Sequence, residues 1–342
     1  MAKSKPFVLI TGTTGMVGFR VLVVALEAGY HVRAAVRSQQ AFDRIKVLTP
    51  IAPYLVDVEP FIVPDITVPG AYDEAVRDVD YIIHIAAPIA KASNTDYEED
   101  LIRPSLQGTL GMLEAAQKAP SVKKIVITAS VASVVPTGVL VSERDAEIYN
   151  EKSRVPDPKG PYSSVLGAYL ASKKIAFNAT EAFIRDKKPK FEVVSVGPGF
   201  IVGRDDTITD PKNIGNGSNR LLISRLLGNG APIPASSCIA HIDDVAKVHV
   251  ESLNEAITGN PFFMITTQCP EGPNWDDALE IVKRRYPKEV ADGVFHTTSG
   301  APTHHVLTDS SFTEKTFGIR FKTYEQAVVD VVNHYLELTG RK

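Results

Sequence analysis

"ITGTTGMVG", residues 10–18, joins the apolar run "PFVLIT" to "GMVGFRVLVVALEAG", a stretch apolar almost all round that ends at Gly29. Such a junction predicts a strand, a tight turn and a helix. Its glycines stand at 12, 15 and 18. Gly12 permits the turn off the strand, Gly15 lets the backbone approach a diphosphate, and Gly18 lets the helix pack closely on the sheet. The loop backbone at Thr14, Met16 and Val17 belongs to the same cradle, because a helix N-terminus offers unpaired N–H groups and a partial positive charge to phosphate.

Working outward, the next strand is "HVRAAVRS", residues 31–38. An NAD-binding fold places an acid about 20 residues past the glycines, where it accepts from ribose hydroxyls. Nineteen residues after Gly18 stands Arg37, and no Asp or Glu lies between His31 and Ala41. A guanidinium suits a 2′-phosphate, which predicts NADP(H) as the cofactor. Arg33, an even number of residues away, projects to the same side of a strand and is a second candidate. Its alternatives are to cap the sheet surface or to pair with an acid. Asp65, where the third strand "VEPFIV" runs out, suits an adenine amino group, with Ile66 beside it; a turn-forming Asp is the competing reading.

Apolar runs and longer helical stretches alternate over the first 200 residues. The strands read as "PFVLIT", "HVRAAV", "VEPFIV", "DYIIHIA", "KKIVIT" and "FEVVSV". Helices are expected around "AYDEAVRD", from Asp96 to Lys118 and from Tyr162 to Arg185. This grammar predicts an α/β, Rossmann-type doubly wound parallel sheet with helices on both faces. After Pro198 the chain becomes rich in Gly, Pro, Asn and Ser, which predicts a smaller C-terminal substrate-binding lobe. We expect residues 1–202 to bind the dinucleotide, with 241–260 returning to that domain, and 203–240 with 261–342 to form the lobe.

"AYLASKK" sets Tyr169 and Lys173 at i, i+4, on one helix face with Cβ atoms about 5–6 Å apart. A phenol of pKa about 10 is a poor acid–base catalyst at neutral pH, and a neighbouring ammonium lowers it. "ITAS" ends the fifth strand at the carboxyl edge, where ligands bind in such sheets, so Ser130 is placed to hold a substrate carbonyl oxygen.

Taken together, "TGTTGMVG", "HIAAP", "ITAS", "YLASK" and "HIDDVAKVH" resemble the extended short-chain dehydrogenases/reductases. The chain is most similar to the branch of dihydroflavonol reductases and fungal aldehyde, methylglyoxal and ketone reductases, from roughly Phe7 to Tyr335. The resemblance implies a catalytic Ser130, Tyr169 and Lys173. It also implies nicotinamide-side contacts from Ala86, Ala87 and Pro88 and from Pro198 and Gly199. Three positions depart from the pattern. Gly197 stands where Asn is frequent, Arg204 where Pro is frequent, and no lysine closely follows Arg37.

The rest of the chain narrows the classes. Its 342 residues carry 37 Lys and Arg against 40 Asp and Glu, a balance that favours neither nucleic acid nor an anionic membrane surface. No apolar run is long enough to span a membrane or to serve as a secretory segment, so a cytoplasmic protein is expected. Cys238 and Cys269 are too few for a disulfide framework and fit no metal motif. "THHV", with His304 and His305, lacks a second ligand cluster, so no metal is expected. The leading reading is an NADPH-dependent carbonyl reductase, monomeric or homodimeric, acting on a small carbonyl substrate. The apolar segments "VASVVPT" and "FIV" suit an apolar ketone or aldehyde. Two alternatives are a nucleotide-sugar epimerase or dehydratase of the same fold and a non-catalytic NADPH sensor.

Overall fold

The protein is described by a computed structural model over residues 5–86, 96–228, 234–298 and 302–341. Up to Lys187 the elements are β1 (Phe7–Thr11), α1 (Met16–Glu27), β2 (His31–Val36), α2 (Gln39–Lys46), β3 (Val58–Ile62), β4 (Tyr81–His84), α3 (Arg103–Lys118), β5 (Lys124–Thr128), α4 (Thr137–Val141) and α5 (Val165–Lys187). Beyond it come β6 (Glu192–Pro198), β7 (Phe200–Val202), α6 (Arg220–Leu226), β8 (Ala235–Ser236), β9 (Ile239–His241), α7 (Ile242–Glu251), β10 (Phe262–Ile265), α8 (Asp277–Arg285), α9 (Pro287–Ala291), β11 (Thr303–His304), α10 (Ser311–Phe317) and α11 (Tyr324–Leu338). Among the described residues no helix is long and apolar enough to cross a membrane.

Among the described residues one seven-stranded sheet runs in the order β3-β2-β1-β4-β5-β6-β10. β1 pairs in parallel with β2 and β4, and β2–β3, β4–β5 and β5–β6 are parallel too. The chain works outward from β1 to β3, then returns to the other side of β1. That reversal lies between β1 and β4, and in open α/β sheets ligands bind outside the strand ends at such a point. β1, β4, β5, β6 and β10 are buried along nearly their whole length, as strands with helices on both faces are, whereas the edge strand β3 is partly exposed. Leu9, Ile82, Met112, Leu113, Ile125 and Val193 belong to one of the apolar clusters on the sheet.

By contacts the chain divides into two units. One holds residues 1–137, 154–197 and 246–263, and the other 138–153, 198–245 and 264–342. The second therefore takes in residues 138–153, 198–202 and 241–245, which the sequence reading left with the dinucleotide-binding part, and the first takes in 261–263. Its core gathers around Trp275, fully buried, with the rings of Phe200 and Tyr324 set edge-on at 5.3 and 5.8 Å. A short parallel pair, β7 with β9, also belongs to it and had no clear signal in the sequence.

The helix expected around "AYDEAVRD" is absent. Residues 70–78 run as successive turns, with Asp73 N–H bonded to Gly70, Val76 to Tyr72 and Arg77 to Glu74, and Asp78 closes them at φ 62°. Tyr72, Ala75, Val76 and Val79 are buried, so the helical spacing of apolar residues is real. The bonds alternate between three- and four-residue spacing and stop at the left-handed Asp78, so no regular helix is established.

Gly18 is the tightest point of the first turn. A Cβ there would lie 2.0 Å from the Gly12 carbonyl oxygen, whereas one on Gly111 in α3 would meet nothing within 4 Å. We predict that Gly18→Ala destabilises the fold by about 1–3 kcal/mol, read from urea unfolding. Gly111→Ala should instead be neutral or stabilising by up to about 1 kcal/mol. Equal midpoints for the two variants would contradict this account.

Candidate active site

The phosphate loop is built as its sequence predicts. Gly12 has φ +76°, and a Cβ there would come within 3.1 Å of the Ala86 amide, so the loop runs against the chain leaving β4. Gly15 is the N-cap of α1 and no side chain caps the helix. The first N–H groups of α1, from Met16, Val17 and Gly18, are therefore left for an incoming acceptor. A Cβ on Gly15 would meet only the Gly12 oxygen, at 3.7 Å. Thr14 and Gly15 are exposed, and the buried Thr13 hydroxyl has no partner among the described residues. An open cradle with uncapped donors and an unpaired hydroxyl fits the diphosphate of a dinucleotide.

At the reversal of the sheet, Thr11 of β1 stands in register with His84 of β4. Thr11 Oγ1 accepts from the N–H groups of Ile85 and Ala86, both at 3.0 Å, and donates to His84 Nδ1 at 3.0 Å. With its lone pairs taken, the hydroxyl makes Nδ1 an acceptor, which assigns the proton to Nε2. Burial, and then the charge of Lys173, pull His84 down to about 3, so the ring is neutral. Sequence reasoning missed this lock. Its one signal was a histidine inside an otherwise apolar four-residue strand.

Arg33 and Arg37 part company. Arg33 donates to Glu59 Oε1 at 2.7 Å and to the carbonyls of Ala75 and Arg77 at 2.9 and 2.8 Å, with its guanidinium over the Phe7 ring. It sits mid-strand opposite Glu59, so the expectation that it binds cofactor gives way to its alternative, an ion pair on the sheet. Arg37 lies past the end of β2, exposed, and makes no hydrogen bond or ion pair among the described residues. Its charge reaches Asp65 and Tyr72. Asp65 accepts from the Thr67 N–H at 2.8 Å and hydroxyl at 2.6 Å, a local turn that holds its carboxyl below the usual range, with Arg37 adding to the effect. Ile66 packs toward Gly108 of α3.

Ser130 ends β5. It caps the short 3-10 turn Val131–Ser133, accepting from the Ala132 N–H at 3.1 Å, so its own proton is available to another oxygen. Tyr169 and Lys173 lie one turn apart on α5, which starts at Ser164 with that side chain accepting from Gly167. Both are half-buried, and the Lys173 ammonium lies 5.8 Å from the centre of the Tyr169 ring. Desolvation pulls Lys173 down to about 8 and pushes Tyr169 up. The expected lowering of the phenol by the ammonium is therefore outweighed, among the protein's own groups, by burial. Tyr169 is held in its protonated form.

Beside Lys173 is a cavity of about 20 Å³, whose polar lining includes His84, Ser105, Thr109 and Thr128. His84 Nε2 and Ser105 Oγ find no partner among the described residues.

Of the remaining expected residues, Ala87 and Pro88 lie outside the described residues. Pro198 ends β6, and the Gly199 N–H donates to Ile265 O at 2.9 Å. Gly197 has a steric reason: a Cβ there would lie 2.1 Å from Phe262 Cζ, and that ring packs on Phe177 of α5. The Phe262 ring fills the space a larger side chain at 197 would need. Arg204 pairs with Asp206 at 2.6 Å and Glu337 at 2.5 Å. His304 faces Val139 O, and His305 faces Glu271 O and Asn274 Oδ1. His241, Asp243 and Asp330 cluster as metal ligands can, yet Lys322 already neutralises Asp243 and the Asp243 N–H occupies His241 Nδ1.

Comparison with known proteins places these features in context. The model of the NAD dependent epimerase/dehydratase family matches residues 8–262. The ketoreductase CTB6 of Cercospora beticola is 38% identical, over 97% of this chain and 95% of its own. The NAD-dependent epimerase/dehydratase ALT6 of Alternaria alternata is 35% identical, over 94% and 95%. Among solved structures, the yeast methylglyoxal/isovaleraldehyde reductase Gre2, complexed with NADPH, superposes with a TM-score of 0.82 at 22% identity, over 98% of this chain and 100% of that one.

Proposed function

The chain belongs to the NAD dependent epimerase/dehydratase family, and from that premise we propose that it is an NADPH-dependent carbonyl reductase, able in reverse to oxidise the alcohol. The observation that carries the reading is the placement of the Tyr169 phenol one helical turn from the Lys173 ammonium, with the Ser130 hydroxyl free to donate. Gly12, Gly15 and Gly18, with the backbone of Thr14, Met16 and Val17, hold the diphosphate, and Arg37 holds the 2′-phosphate. Asp65 Oδ2, with Ile66 beside it, is offered to the adenine. Ala86, Pro198 and Gly199, with Ala87 and Pro88, are assigned to the nicotinamide side.

When bound, the dinucleotide supplies the hydride. The protein's part is proton and charge. Ser130 donates a hydrogen bond to the substrate carbonyl oxygen and fixes its position. Tyr169 gives that oxygen its proton as negative charge develops there. Lys173 stabilises the phenolate that remains and donates to ribose hydroxyls. The run just past Ser130, "VASVVPT", is apolar, which favours an apolar or aromatic ketone or aldehyde as substrate. Two free cysteines agree with a reducing compartment, and we place the reaction in the cytoplasm.

Cofactor choice tests Arg37. Losing a charged hydrogen-bond partner costs about 1.5–3 kcal/mol, or about 10- to 150-fold. Arg37→Ala should weaken NADPH by that factor in a fluorescence titration and leave NADH nearly unchanged. Arg33→Ala should lower stability while the NADPH/NADH ratio holds. Equal losses of both cofactors in Arg37→Ala would remove Arg37 from the site.

Turnover tests the acid. Tyr169→Phe should reduce kcat for an aromatic ketone by about 10²–10⁴-fold, with NADPH affinity little changed. Because Lys173 titrates near 8, ketone reduction should be steady at lower pH and fall as pH rises through about 8, where the ammonium is lost. In Lys173→Arg that falling limb should move upward, because a guanidinium stays charged. Near-normal turnover in Tyr169→Phe, or turnover of nucleotide sugars with none of ketones, would overturn the reading.

A further inference from the structure

We propose that Lys174, the neighbour of Lys173, is a positioning residue whose buried ammonium holds the Ala132 carbonyl and thereby sets where the Ser130 hydroxyl stands. The inference rests on the reading of Ser130 as the donor to the substrate oxygen. Lys174 is 1% exposed, and its Nζ donates to Ala132 O at 2.6 Å. Burying an ammonium is costly unless it is well bonded, and an apolar side chain of similar volume would fill the same space without that cost. The residue type therefore serves geometry rather than packing.

The Ser130 turn needs such support. It is a single 3-10 turn, Val131–Ser133, a form with poor hydrogen-bond geometry. Ser133 N–H bonds to Ser130 O, and both Val134 and Val135 bond to Val131 O. That ladder leaves the Ala132 carbonyl unused, and Lys174 takes it. A second bond runs the other way, from Ser133 Oγ to the Lys173 carbonyl at 3.0 Å. Two oppositely directed bonds thus join the turn carrying Ser130 to the helix turn carrying Lys173. On α5, Lys173 is directed to the Tyr169 face while Lys174, one residue on, secures the serine. The paired lysines divide the work between charge at the reacting centre and placement of a hydroxyl.

The test uses the full-length protein with Lys174→Met, an unbranched apolar replacement. Hydrogen exchange, followed by mass spectrometry, should speed up at least about tenfold over residues 131–135 while the phosphate loop and α1 stay unchanged. A small misplacement of a catalytic group can cost as much as 10²-fold. With NADPH and an aromatic ketone, kcat should therefore fall at least about tenfold, with the NADPH dissociation constant within twofold. In a Ser130→Ala background the same change should have no further effect, since Lys174 acts through Ser130. Unchanged exchange over 131–135 would overturn the inference, as would the same fall in kcat with and without Ser130. Should Ser130→Ala alone leave turnover intact, the reading of Ser130 fails, and the exchange result still judges Lys174. If Lys174→Met does not fold, Lys174→Gln, one atom shorter and neutral, loosens the same bond and should give the same exchange pattern.

Discussion

The close approach of Gly18 to the Gly12 carbonyl is the contact on which the rest of the site depends. It brings the start of α1 against the end of β1, so that the uncapped N–H groups of the helix open at the reversal of the sheet. No side chain at 18 is compatible with that geometry. The Thr11–His84 lock then ties β1 to β4 and gathers the amides of Ile85 and Ala86 beside the same loop. A strand end that would otherwise expose unpaired donors becomes a fixed wall of the cradle.

Burial, more than pairing, sets the protonation states. The Tyr169 phenol stays protonated because its anion would be poorly solvated, and Lys173 is brought to about 8 for the same reason. A neutral His84 next to that ammonium adds no competing positive charge. These states are the ones a reductase of the proposed kind requires before reaction: an acid holding its proton and a cation ready for the charge that develops.

What was legible in the sequence was what local spacing controls. The glycine loop, the strands from β1 to β6 and the Tyr169–Lys173 pair all follow from patterns a few residues long, and the structure contains each of them. What escaped depended on partners far along the chain. Arg33 and Arg37 look alike in sequence, and distant partners separate their roles: Glu59, 26 residues past Arg33, with the carbonyls of Ala75 and Arg77. The pattern of "AYDEAVRD" reads as a helix, yet bonds of mixed spacing and a left-handed Asp78 leave it irregular. Gly197 is explained by a phenylalanine ring 65 positions later, and Lys174 by a carbonyl 42 positions earlier. Such pairings are tertiary facts, and no window of sequence contains them.

The central claim is that hydride passes from the cofactor to a carbonyl carbon while the protein supplies the proton. Its most direct measurement uses NADPH carrying deuterium at the transferable position of nicotinamide C4, with an aromatic ketone and product analysis by mass spectrometry. The account predicts one deuterium on the carbinol carbon for each NADPH oxidised, and none on the hydroxyl after exchange with water. NADPH that binds and is never oxidised, or an alcohol formed without deuterium on carbon, would contradict it.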